Sequence, residues 1–381
     1  MQPTLNKSVL LLTDGIYPFV TGGMQKHSYF LTKYLLQANY TVHLFHCVES
    51  DKAIPDEMEV KEYFSELNTN LQSTCLHFPS GIRFPGHYLS KSYKYSKQLY
   101  NLVSSKIDSY DFIYIQGFTG WYLLKKFKEK KIAQKTIINF HGLEMFQIQP
   151  DFKGKLQAIL LRHFVRKNIN RSPYVHSLGG KLTEIIKEKL KVDESKILSV
   201  PIGIETNWLT NQQFNKTESK INIGFIGRNE RRKGFPELMD AIKSLSKTNF
   251  HFHIIGPFEK SESTLITFYG LIKNENEIKE ILDKCQVLIC PSYSEGMPTV
   301  ILEAMSRGCA IAATDVGAVS EQVDHLNGWI FKPANSQELK KCLETILASS
   351  KEEINFKRKA SIEKINKSFL WPTLIPKLFN Q

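Results

Sequence analysis

Ser292-Tyr293-Ser294-Glu295-Gly296-Met297-Pro298-Thr299-Val300-Ile301-Leu302-Glu303-Ala304-Met305-Ser306-Arg307-Gly308 is the stretch on which the fold of this chain turns. The apolar run Val287-Leu288-Ile289 just before it reads as a buried strand. Pro298 suits the first turn of a helix and Gly308 its end. Glu295 then falls in the strand-to-helix turn, and Glu303 about one turn inside the helix. A helix start offers unpaired backbone N–H groups and a positive dipole end to an anion. A carboxylate takes hydrogen bonds from hydroxyls but repels phosphate. Two glutamates flanking such a helix start therefore suit a ligand with phosphate at its centre and hydroxyls at both ends, the form of a nucleotide-sugar.

Outward from this stretch, short apolar runs alternate with amphipathic ones, which predicts α/β layers. In the first half the predicted strands are 8–13, 41–47, 111–115, 136–140 and 174–177, with long helices at 23–38 and 153–170. A second series begins at Ile221-Asn222-Ile223-Gly224-Phe225-Ile226-Gly227 and continues through 251–255, 265–268, 286–289 and 309–312. The polar segment 203–219 between the series looks like a linker, with Gly203 either a hinge or a turn. The expected architecture is two Rossmann-like, doubly wound domains, residues 1–200 and 201–365, whose strand ends share a central cleft. In the tail, 366–381, apolar residues at 371, 374, 375 and 378 share one helix face, expected to pack back on the first domain.

The 381 residues suffice for two ordinary domains, and at 42% hydrophobic the chain is too apolar to be disordered. A net charge of +12 favours anionic partners without choosing among nucleotides, acidic glycans, lipid headgroups and nucleic acid. Six cysteines form no C-x-x-C pair and read as reduced core thiols of a cytoplasmic protein. No run approaches the roughly 20 apolar residues that span a bilayer, so membrane contact is expected to be peripheral. Two basic stretches, 88–106 and 153–171, are either packed helices with solvated basic faces or surfaces for an anionic membrane.

Further candidates sit after predicted strands. Arg228 and Lys233 project from the loop after the 221–227 run, either to dock a diphosphate or as part of a solvated basic loop with Arg231 and Arg232. Gly22 and Gly23 open the first long helix, where a backbone can approach a ligand closely or simply turn. His141 ends the run 137–140, placed for a sugar hydroxyl or proton movement, or for a loop carbonyl. There is no D-x-D, H-E-x-x-H or Walker A pattern, so no metal and no separate cofactor are expected. The pI near 9.2 raises a non-catalytic basic nucleic-acid-binding protein as a rival from another class, against which stands the lack of any recognisable nucleic-acid-binding module.

In this order the motifs resemble those of the family 4 glycosyltransferases, a retaining group with the GT-B fold, over nearly the whole chain. Glu295 and Glu303 match the family's E-x7-E motif, Arg228 and Lys233 its paired cations, and Pro18 with Gly22-Gly23 its first glycine loop. Asp315 to Glu321 and Phe369-Leu370-Trp371 match its later loop and closing helix. The resemblance implies a metal-independent hexosyltransferase using a nucleoside-diphosphate sugar, UDP-linked in preference, and the positive charge, which suits a membrane-side enzyme, points to a glycan or lipid-linked acceptor of surface polysaccharide or glycolipid synthesis. It implies that Glu295 holds the donor sugar, with Gly296, Met297, Pro298 and Thr299 lining sugar and diphosphate through their backbone. Glu303 is to bind the ribose, Arg228 and Lys233 the phosphates, with His141 beside the transferred sugar and Gly23 facing the donor from the other domain. The base pocket is placed near Tyr269-Gly270-Leu271-Ile272. The segment 201–205 departs from the family pattern, with Ile202 and Glu205 where Asn and Asp are common. Same-fold epimerases and phosphorylases are the alternatives, and a cytoplasmic enzyme at the inner membrane face is the expected setting.

Overall fold

The structure, a computed structural model, describes residues 7–64, 69–81, 86–126, 136–210, 214, 220–246 and 249–379. Among them are two seven-stranded sheets. The first contains Ser8–Leu12 (β1), Thr41–Val48 (β2), Leu71–His77 (β3), Phe112–Gln116 (β4), Thr136–Asn139 (β5), Tyr174–Ser177 (β6) and Ile197–Ser199 (β7). Its spatial order is β3-β2-β1-β4-β5-β6-β7, parallel throughout. The second contains Ile221–Ile226 (β8), Phe250–Ile255 (β9), Ser261–Glu262 (β10), Ile266–Gly270 (β11), Val287–Cys290 (β12), Ala310–Thr314 (β13) and Gly328–Phe331 (β14). Its order is β10-β11-β9-β8-β12-β13-β14, and only β10 runs antiparallel.

Helices cover both faces of such sheets, so central strands read as unbroken apolar runs. Val9 to Leu12 and all of Ala310–Thr314 are buried accordingly. Strand order reverses between β1 and β4 in the first sheet and between β8 and β12 in the second. At these switch points the loops leaving neighbouring strands diverge to opposite faces and leave a crevice beyond the strand ends. The loop after β8 carries Arg228 to Lys233, and the loop after β12 carries Glu295.

Every strand expected from the sequence is present within a residue or two at its ends. Four were not anticipated: β3, β7, β10 and β14. β10 has two residues and β7 three, too short for a periodic signal, and β3 mixes polar residues into its run. The segment expected to be a linker is docked, not free. A turn at Thr206–Trp208 buries Trp208, whose carbonyl, with that of Leu209, accepts from Arg307. Most of 211–219 lies outside the described residues.

The tail runs back across the molecule. The helix Lys351–Ser368 lies against Thr299–Ser306, and Trp371–Phe379 lies against the first sheet's helix Gly23–Gln37. Trp371, Leu374, Ile375, Leu378 and Phe379 are all buried, each contributing about 1.5–3 kcal/mol of transfer free energy. Trp371 contacts the rings of His27, Phe30 and Tyr34. A Cβ on Gly203 would meet the Trp371 ring at 2.7 Å, so the glycine there permits a close crossing. Beside it Ile204 pairs with Leu370, and Ile204 N donates to Phe369 O at 2.7 Å.

Trp371→Ala is expected to cost about 3–5 kcal/mol in urea unfolding. Trp371→Phe should cost far less, since the buried indole N–H has no partner to lose.

Candidate active site

The second switch point brings Lys233 and Glu295 into contact. Glu295 is 5% exposed, and its Oε1 accepts from Lys233 Nζ at 2.5 Å and from Ser292 Oγ at 2.7 Å. Arg232 Nη1 stands 3.6 Å from Oε2. Burial alone would raise this carboxyl, but Lys233 and Arg232 outweigh it and hold it below the ordinary range. Gly234 makes the approach possible. It adopts φ +69°, and a Cβ there would sit 2.1 Å from Pro291 O.

Arg228 is placed differently. Its side chain is 68% exposed and pairs with Glu230 at 3.0 Å. Arg232, which the sequence reading passed over, is the second cation beside Glu295. Arg231 turns away to Glu237, as does Tyr293, whose hydroxyl donates to the same carboxylate at 2.8 Å.

Helix Thr299–Ser306 starts after Pro298, its N-cap, and carries Glu303 half-buried. Thr299 and Glu303 line a cleft open to solvent, with about 420 Å³ of empty space, together with Lys26, His27, Gly203, Glu205 and Glu275. Lys26 Nζ lies 3.3 Å from Glu275 and so joins the first sheet's helix to the second half. Burial acts against its charge, but Glu303 and Glu275 outweigh burial and raise its pKa. Burial raises the Glu303 carboxyl, opposed by Lys26. The side chain of Met297 is buried, and its Sδ accepts from Ile202 N at 3.1 Å. Gly22 is extended and precedes the helix that Gly23 begins. A Cβ on Gly23 would meet no atom within 4 Å.

From the first sheet, His141 follows β5 and reaches the same cleft. Its φ of 53° is left-handed, a costly conformation for a side-chain-bearing residue and one concentrated at functional sites. Its N donates to Asn139 Oδ1, and its Nε2–H donates to Gln116 Oε1 at 2.7 Å. The Gln116 amide nitrogen is within 3.0 Å of His27 Nδ1 and of Ser28 Oγ. Burial and the nearby His176 ring pull His141 down to about 3, so its imidazole is neutral with Nδ1 left as an acceptor. Beyond it, Gln147 Nε2 donates to Gly142 O at 2.5 Å and to Glu295 O at 2.6 Å. Gly296 crosses Gly142 so closely that a Cβ would stand 3.1 Å from the Gly142 Cα. The free volume therefore lies at the Glu303 end, while an ion pair and a backbone crossing fill the Glu295 end.

Sequence reasoning brought Glu295, Lys233, Glu303, Thr299, Gly296 and His141 to one cleft. It missed Gln116, the last residue of β4, and Lys26, Arg232, Gln147 and Glu275, which lie on helices or loops with no distinctive local spacing. Tyr269 lies in β11 and donates to or accepts from His253 Nδ1 at 2.8 Å, while Leu271 is 64% exposed.

Two family matches tile the chain. Residues 21–208 match Glycosyltransferase Family 4, and residues 207–362 match Glycosyl transferases group 1. The chain belongs to the family 4 glycosyltransferases. A Methanocaldococcus jannaschii glycosyltransferase, MJ1178, is 26% identical over 87% of this chain and 90% of its own length. The Bacillus subtilis glycosyltransferase TuaC, named for teichuronic acid biosynthesis, is 29% identical over 53% of this chain and 52% of its own. The chain thus spans about half of TuaC. Anabaena HepE, solved with UDP and glucose, superposes with a TM-score of 0.65 at 14% identity over 98% of this chain and 99% of its own. That likeness establishes the GT-B fold shared by this glycosyltransferase.

Lys233→Met should destabilise the protein by about 3 kcal/mol at neutral pH, because a buried carboxylate loses its nearest cation. Glu295 is held below its usual 4.5, so the pair stabilises the fold fully above that pH and loses effect as pH falls through the lower folded value. In denaturant titrations across pH, the gap between wild type and variant should therefore close in acid.

Proposed function

We propose that this glycosyltransferase moves a hexose, with retention of configuration and without a metal ion, from a UDP-sugar to a glycan or lipid-linked acceptor. The product belongs to a surface polysaccharide or glycolipid, and the enzyme works in the cytoplasm at the inner membrane face. The contact between Lys233 and Glu295 carries this reading. It sets a cation for phosphate and a carboxylate for sugar hydroxyls side by side, the carboxylate in the loop that leads to the helix carrying Glu303.

Donor binding then exchanges partners. The sugar hydroxyls take over Glu295, and the Lys233 ammonium turns to the diphosphate beside Arg232, with Arg228 swinging in from solvent. The helix start at Thr299 adds its dipole. These groups stabilise the departing diphosphate more as its bond to the sugar breaks than before, which is what lowers a barrier. The cavity beside Glu303 has room for the ribose, and the carboxylate suits its two hydroxyls. Neutral His141, with Gln116 holding Nε2–H, offers Nδ1 to a sugar hydroxyl. HepE, with the same fold, is a protein solved with UDP, which supports that nucleotide. TuaC's name supports a surface polymer, and the +12 charge supports an anionic membrane nearby.

The direct test incubates the protein with UDP-, GDP- and ADP-sugars, with and without membrane extract, and follows nucleotide release and labelled product. UDP-sugar turnover that needs the acceptor is expected, and normal turnover by Glu295→Ala would refute the assignment. Lys233→Ala should lower kcat on the order of 100-fold.

Gly23→Ala separates close approach from mere turning. The helix has space for the methyl, so the melting temperature should hold or rise, by about 0.4–1 kcal/mol in stability. The donor KM should rise if backbone meets ligand there, as read by initial rates.

A further inference from the structure

The helix Phe152–Ile169 has an apolar stripe that nothing among the described residues covers. Phe152 is 80% exposed, Leu156 and Ile159 each 62%, and Leu160 42%. At 3.6 residues per turn these positions fall within an arc of roughly 100°. The opposite face, Ala158, Val165, Asn168 and Ile169, is the buried one. The second basic stretch noted in the sequence is therefore not an ordinary packed helix, since its outward face is greasy. The first stretch is: Leu89, Tyr95, Leu99 and Val103 are all buried in helix His87–Val103.

Cations border the stripe on both sides. Lys155, Arg162 and Arg166 run along one edge, and Lys153 and Lys167 lie toward the other, all exposed. Arg162 and Arg166 each give one N–H to a backbone carbonyl, of Met145 and Lys189. Asp151 is the only acid in 151–171, and it is spent capping Gly154 N. A convex apolar arc flanked by long basic side chains matches a layer of hydrocarbon under anionic headgroups. A second copy fits poorly, because a two-fold pairing would set these cations against themselves.

We infer that this helix seats the enzyme on an anionic lipid surface, with Phe152, Leu156, Ile159 and Leu160 entering the headgroup layer. The inference rests on the lipid-linked acceptor reading for its purpose, not for its detection. The helix follows directly on the loop 141–147, whose Gln147 touches Glu295, and Arg162 holds that loop at Met145. Docking therefore sets the mouth of the cleft beside the bilayer.

Flotation of the full chain with vesicles of phosphatidylcholine, with and without phosphatidylglycerol, tests this. Binding to the anionic vesicles, weakened by salt, is expected. Leu156→Ser with Ile159→Ser should cut partitioning roughly tenfold or more, and Lys153→Glu with Lys155→Glu by a similar factor. The substituted side chains are exposed, so melting temperatures should be unchanged. Should the serine pair unfold, the charge-reversal pair interrogates the same surface. Flotation on neither vesicle, equal flotation on both, or binding indifferent to both pairs would overturn the inference. So would a concentration-dependent dimer abolished by the same substitutions, which would assign the stripe to a second copy. Nucleotide release with a water-soluble acceptor, measured in parallel, reports on the transfer reading alone. Flotation without turnover sinks that reading and leaves the docking surface, and turnover without flotation does the reverse.

Discussion

A lysine and a glutamate from two different loops meet because strand order reverses between β8 and β12. The contact is buried, and neither charge is tolerable there without the other. Everything near it is arranged around that constraint. Gly234 gives up its side chain so that the β8 loop can press on Pro291, Ser292 supplies a second donor to the carboxylate, and Arg232 a second positive charge. The charges of the cleft are thus neutralised within the fold itself.

The other sheet contributes through hydrogen bonds more than through charge. Gln116, Asn139 and His176 form a buried polar layer beneath His141, with His176 Nδ1 held by Tyr114 and Asn139 and its Nε2 by the Val200 carbonyl. Burial drives His176 to about 4 as well. The His27 ring lies 4.6 Å from His141 and 6.2 Å from His176, and burial lowers it too, so the three imidazoles stay neutral together and can be oriented by amide and phenol partners instead of by countercharges. The left-handed backbone at His141 is held by Asn139 and by the Gly142 to Gly296 crossing.

Much of this was legible before any coordinates. Apolar runs of four or five residues with turn signals after them located the central strands, because parallel strands buried on both faces leave such runs. Glu295 and Glu303 could be placed because the strand-to-helix junction has sequence signs in Pro298 and Gly308, whereas Lys233 took a definite role only through the family resemblance. Lys26 and Gln147 were not, because their partners Glu275 and Glu295 lie 249 and 148 residues away, and only tertiary packing pairs them. Arg228 and Arg232 show the limit of spacing: both sit in one short loop, and the turn at 231–233 decides which of them faces the carboxylate. The helix at 152–169 was legible, but not its buried face, for a related reason. It is apolar on two faces, and periodicity alone does not say which one the sheet takes.

The chain passes between its two halves twice, and the two passages lie side by side, Ile204 against Leu370, with the Trp371 ring pressed on Gly203. One covalent connector would act as a swivel, leaving orientation to whatever surfaces happen to touch. Two adjacent connectors behave as a strap: they bend readily across their width and resist twist and shear. Sliding of one half along the other, which would carry Gly23 and His141 past Glu295 and Glu303, is what such a pairing opposes.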